Sequence, residues 1–147
     1  MKRRKAREFI IQALYQVDMV KCTWEEALEQ VIENMDDTDD QGEEKQTKSK
    51  IDTKSLAFIK EVLEGITTNQ SEIEKSVREA LKNWSFERLA LVDRAILRLG
   101  AYEIKYRDDI PQQVAINEAV ELAKLYGSEE SRKFINGVLS HVVKQGA

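Results

Sequence analysis

The chain has 147 residues, a length that favours one domain, or two small halves sharing a core, and that buries roughly 68–70% of the unfolded surface. Hydrophobic residues make up 41% and charged residues 34%, with 6 Gly and 1 Pro, which suits a helix-rich globule and excludes collagen-like or wholly disordered chains; 1 Cys and 1 His exclude an internal disulfide, leave too few ligands for a structural zinc site and argue against a His-based triad. The net charge of -4 argues against a nucleic-acid partner as a mean, but residues 25–44 hold ten acids and no Lys or Arg, so the rest of the chain is basic.

In chain order, residues 2–8 come first, with five cations against one acid. Ala6, Phe9, Ile10, Ala13, Val17 and Val20 recur at spacings of three and four, the stripe of a first helix over about residues 3–20. Gln12, Gln16 and Asp18 spoil the core of a signal peptide, Glu8 argues against a mitochondrial transit peptide, and no run approaches the ~18 apolar residues of a membrane span, so a cytoplasmic location is expected. Thr23 and Glu26 have the spacing of a capping box, which predicts a second helix to about Met35. Asp36–Lys50 contains no hydrophobic residue; such a segment cannot offset the entropy of its own ordering and is expected to be a mobile acidic loop.

Leu56, Ile59, Val62, Leu63 and Ile66 predict a third helix ending near Gly65–Thr68. Ser71 and Glu74 repeat the capping-box spacing ahead of a short fourth, with Ile73, Val77, Ala80 and Leu81 inward. Leu89–Tyr106 is apolar nearly all round except for a narrow sector of Arg94, Arg98 and Lys105, the pattern of a central buried helix. Pro111 opens a sixth helix to about Tyr126, and Gly127 stands where a left-handed cap is expected. Ser128 and Ser131 both offer caps for a last helix that turns Phe134, Ile135, Val138, Leu139 and Val142 inward. With no convincing strand, the fold is expected to be all-α.

The six glycines form neither a Walker-type loop nor a dinucleotide fingerprint, so neither ATP nor NAD is expected, and no cofactor, metal or catalytic residue is assigned. Adjacent acids such as Asp108 and Asp109 read as solvated or capping groups, and Cys22 and His141 have structural explanations. On the first helix, Arg4, Ile11, Tyr15 and Asp18 lie opposite the apolar stripe. Guanidiniums grip phosphates and an exposed ring stacks on an unpaired base, which is how single-stranded RNA is commonly held; a solubilising tail with Tyr15 half-buried explains the same spacing.

REFIIQALYQVD, then RLALVDRAILRLGAYEI, then DIPQQVAINEAVELAKLYGSEESRKFINGVL resemble the NusB family of bacterial transcription antitermination factors. The resemblance covers both ends and the entire C-terminal half, and is weak only from about Cys22 to Lys50. It implies about seven helices in two three-helix-bundle-like halves, about residues 1–82 and 83–147, without enzymatic activity. It further implies binding of boxA-like single-stranded RNA in nascent rRNA transcripts together with NusE, a small-subunit ribosomal protein, within the transcribing RNA polymerase complex.

Carried over, the RNA-facing residues are Lys2, Arg3, Arg4, Lys5 and Arg7, and, around the start of the last helix, Glu129, Glu130, Ser131, Lys133, Phe134 and Asn136. Tyr15, Glu87 and Asp93 fall on the surface for the basic protein partner. At a helix N-terminus, Glu129 and Glu130 either accept from base amino groups or simply stabilise the helix by ~0.3–1 kcal/mol each, the reading favoured for Glu129. The free chain is open to being monomer or homodimer, and a helical adaptor that never touches RNA is the competing function.

Overall fold

The computed structural model describes residues 1–34, 51–82 and 84–146, so the expected acidic loop at 36–50 lies outside the described residues. Among these residues are seven α-helices, one short 3-10 turn and no strand, in agreement with the all-α expectation. The chain divides into two compact units, Met1–Glu64 and Gly65–Ala147. The division falls inside a helix, whereas the family resemblance places it near residue 82.

In the first unit, α1 (Arg3–Val20) packs on α2 (Trp24–Glu33). The expected stripe is buried at Ala6, Phe9, Ile10 and Ala13, but so are Arg7, Ile11 and Leu14, while Val20 is exposed. A one-sided helix would leave Ile11 outside. Through Leu14, α1 is covered around more than half its circumference, and its last turn emerges into solvent.

Lys21 ends α1 in the left-handed conformation (φ 59°, ψ 49°), donating its N–H to the Val17 carbonyl at 2.9 Å. The Thr23–Glu26 capping box forms as predicted: the Glu26 N–H donates to Thr23 Oγ1 at 3.2 Å and the Thr23 N–H to Glu26 Oε1 at 3.4 Å. α3 (Thr53–Thr68) begins where Asp52 Oδ1 accepts the Ser55 N–H at 2.8 Å.

The second unit contains the end of α3, α4 (Gln70–Ala80), a 3-10 turn (Phe86–Arg88), α5 (Leu91–Tyr106), α6 (Gln112–Tyr126) and α7 (Glu129–Gln145). α5 packs on α4, α6 and α7, and α4 also packs on α7, so α4 shares its burial with the C-terminal helices. Residues 95–104 of α5 are all buried, as the all-round apolar pattern requires. α5 and α7 approach closely at Gly100, where an added Cβ would lie 2.6 Å from Leu139 Cδ1.

Two local expectations need correction. The Ser71–Glu74 capping box does not form: Asn69 stands at the N-cap, and Glu74 instead accepts from the buried Arg98 guanidinium at 3.1 Å. Arg98, in the narrow polar sector of α5, is buried in that pair. Gly127 is extended (φ −120°, ψ −161°), not left-handed, because the next residue, Ser128, already has the extended geometry of the α7 N-cap. A Cβ on Gly127 would lie 2.9 Å from Ser131 Cβ, so this glycine is held by space. Among the described residues no helix is long and apolar enough to cross a membrane, and no cluster of His, Cys, Asp and Glu could hold a metal ion.

Candidate nucleic-acid interface

In the first unit, Lys2 at the N-cap and Arg3, Arg4 and Lys5 in the opening turn of α1 are exposed. The Lys2 side chain makes no capping bond and the first turn holds no acid. Cations at a helix N-terminus oppose the helix dipole, so this arrangement costs local stability that a bound phosphate would relieve. The Arg3 guanidinium lies 3.9 Å above the Phe58 ring centroid, which orders its plane. Lys5 makes a 3.6 Å ion pair with Glu8 across one helical turn, a weak surface contact.

Arg7 departs from the expected set. It is only 4% exposed, placed on the inner arc of α1 with Ala6 and Ile10, and is not presented to a ligand. Counting charges along residues 2–8 missed this because the wheel gives Arg7 the same rank as its neighbours, whereas packing decides its burial. Tyr15, expected on the partner surface, is 38% exposed on the outward face of α1.

In the second unit, Ser128 caps α7 by accepting the Ser131 N–H at 3.1 Å. Glu129 pairs with Arg132 at 2.8 Å, in accord with the helix-stabilising reading of that acid. Glu130, Lys133 and Asn136 are exposed, and Ser131 and Phe134 are half-buried. The Ser131 hydroxyl donates to Asp93 Oδ2 at 3.4 Å, so one residue expected to face RNA holds one expected to face protein. Asp93 Oδ1 is buried without a hydrogen-bond partner among the described residues, and burial pushes its carboxyl above the usual range despite the Ser131 bond.

Glu87 projects from the 3-10 turn, where Phe86 is buried among the guanidiniums of Arg78, Arg94 and Arg98, whose Cζ atoms lie 4.9, 5.5 and 5.2 Å from its ring centroid. Arg94 also donates to the Glu87 and Leu89 carbonyls. The Glu87 carboxylate is exposed but already engaged: Arg78 lies 2.6 Å away and Ser85 donates at 2.9 Å, which lowers its pKa to about 2. None of the sequence expectations includes Trp84. Its indole is 61% exposed and meets the Phe134 ring edge-on, with centroids 6.1 Å apart and planes at 72°. The available signal was an aromatic outside every helical stripe, in the short link between two helices.

The chain is similar to known proteins in both sequence and fold. The NusB family model matches residues 4–144. A transcription antitermination protein NusB from Bacillus cereus (strain B4264) is 45% identical over 142 residues, covering 97% of each chain. The structure of T. maritima NusB superposes with a TM-score of 0.83 at 34% identity, covering 99% of this chain and 92% of that one. A crystal structure of antitermination factors NusB and NusE in complex with dsRNA includes a chain similar at a TM-score of 0.80 and 26% identity, covering 97% of this chain and 96% of that one. A family match spanning nearly every described helix, on a fold with the same helical architecture, leads to one conclusion: the chain belongs to the NusB family.

Proposed function

We propose that this chain is a non-catalytic subunit of transcription antitermination. It binds boxA-like single-stranded RNA of nascent rRNA transcripts together with NusE and promotes read-through by RNA polymerase, in the cytoplasm. The observation that carries the reading is the exposed cationic start of α1, which is unfavourable for an isolated helix and suited to RNA phosphate. RNA contacts are assigned to Lys2, Arg3, Arg4 and Lys5 on the first unit and to Glu130, Ser131, Lys133, Phe134 and Asn136 on the second. Arg7 is left out of the contact set because of its burial.

Contacts with the basic protein partner are assigned to Tyr15 on the first unit and to Glu87 and Asp93 on the second. At Glu87 the partner joins an exposed carboxylate that Arg78 already orients. Exposed Tyr15 and Met19, one helical turn apart on α1, support protein docking and are what the pure adaptor reading has in its favour.

Gel-shift titrations with boxA-sequence single-stranded RNA, the same sequence as a duplex, and NusE present or absent test the proposal. Single-stranded RNA shifted by the chain, alone or with NusE, and competed poorly by duplex is the expected result. Equal competition by duplex overturns the single-strand assignment. A stable complex with NusE that never shifts RNA establishes the adaptor instead.

A further inference from the structure

We propose that Trp84 and the Phe134–Gly137 face of α7 form a stacking platform for one unpaired nucleobase of the bound RNA. The inference deepens the RNA-binding reading and rests on it. Two independent observations carry it. The first is the indole itself, which is 61% exposed, a large apolar area to leave in water without a use. The Phe134 ring lies 6.1 Å away with its plane at 72° to the indole, one aromatic contact on a ring that otherwise stands largely in solvent. An indole has only two side-chain torsions to fix when a base stacks on it, and stacking needs no particular base.

The second is Gly137, which lies inside α7, exposed, where an added Cβ would meet no heavy atom of the described residues within 4 Å beyond its own helix backbone and chain neighbours. Among the described residues no neighbour requires a glycine there, and its helical conformation does not require one. A flat patch of backbone is instead what close approach of a ligand demands. Gly137 follows Phe134 by three residues and Lys133 by four, so it occupies the same side of α7 one turn further along. Lys133, one turn before it, and the adjacent Asn136 are exposed and supply a phosphate-pairing cation and an amide that can read a base edge. The charge and hydrogen-bonding chemistry fits a nucleotide and not an apolar peptide.

Trp84 is its own reporter once Trp24, the other tryptophan, is replaced. In a Trp24→Phe background of the full chain, boxA-sequence single-stranded RNA should quench the remaining indole emission at saturation. Trp84→Ala should weaken RNA binding about 5- to 100-fold and Trp84→Phe by less, the range expected for one base stack. An abasic nucleotide at the stacked position should reproduce the loss in wild type and add little to it in Trp84→Ala.

Circular dichroism checks that Trp84→Ala folds; if it does not, the quenching and the Trp84→Phe titration decide. Wild-type affinity in folded Trp84→Ala, with RNA binding still lost in Arg3→Ala/Arg4→Ala, overturns the platform and leaves the RNA-binding function standing. Failure of the wild-type chain to bind RNA with or without NusE overturns both. An indole that responds to NusE and not to RNA assigns Trp84 to protein docking and overturns the platform.

Discussion

The two helical glycines Gly100 and Gly137 make the same substitution a test of opposite surroundings. Alanine inside a helix is favoured over glycine by about 0.5–1 kcal/mol because the unfolded chain loses less freedom. At Gly137 the new methyl meets no other side chain or distant backbone of the described residues within 4 Å, so Gly137→Ala should gain that amount and raise the melting temperature by about 1–4 °C. At Gly100 the methyl would lie 2.6 Å from Leu139 Cδ1 and 3.1 Å from Cδ2, and Leu139 is fully buried and cannot swing into solvent. Overpacking of about 1–3 kcal/mol there outweighs the helix gain, leaving Gly100→Ala less stable than wild type by about 0.5–2 kcal/mol. Thermal melts followed by circular dichroism compare the two directly. Loss of stability in both variants would refute the open placement of Gly137. Gly137→Ala should also bind RNA more weakly although it is more stable; unchanged affinity would refute the close-approach role of that position.

Further outcomes follow from single residues. Lys21→Gly should stabilise the chain by about 0.5–1 kcal/mol in urea titrations, since glycine adopts the left-handed α1 terminus without the penalty a lysine incurs there. Glu87 has a lowered pKa, so the stabilisation from its Arg78 pair is complete above its ordinary value and lost as pH falls towards about 2; Glu87→Gln should remove that acid-side loss in a pH series of melts. Asp93 has the opposite sign. Burial raises its pKa, so its stabilising effect is full below the ordinary carboxylate value and lost as pH rises through the shifted one. Asp93→Asn should therefore match or exceed wild-type stability at neutral pH while weakening NusE binding by calorimetry, and unaltered NusE affinity would take Asp93 off the docking surface.

Features set by neighbours in sequence were legible before any coordinates. The Thr23–Glu26 box, the Ser128 cap and the Pro111 break all rest on bonds or sterics spanning a few residues, and the structure contains each. The burial of α5 was legible because its apolar residues leave almost no outward side. Features set by distant contacts were not. Glu74 pairs with Arg98, 24 positions away, in preference to closing a local box with Ser71, and no spacing rule weighs the two. Ile11 and Arg7 were misplaced because a wheel assigns one inner face, whereas α1 is covered on several sides. For the candidate site, the basic stretch and the α7 entry stood out as charge and motif. Trp84 and Gly137 did not, since their meaning lies in what surrounds them: an indole left largely exposed and a glycine whose added Cβ would be uncrowded among the described residues.

The claim beneath the functional reading is that the cations opening α1 touch RNA phosphates. Filter-binding titrations of boxA-sequence single-stranded RNA over a range of salt concentrations, with NusE held saturating, measure this directly. Each neutralised phosphate adds about −0.7 to the slope of log affinity against log salt, so Arg3→Ala/Arg4→Ala should weaken binding and flatten the slope by about 1.4. A slope unchanged by the double substitution would contradict the claim and leave the charged start of α1 without an RNA role.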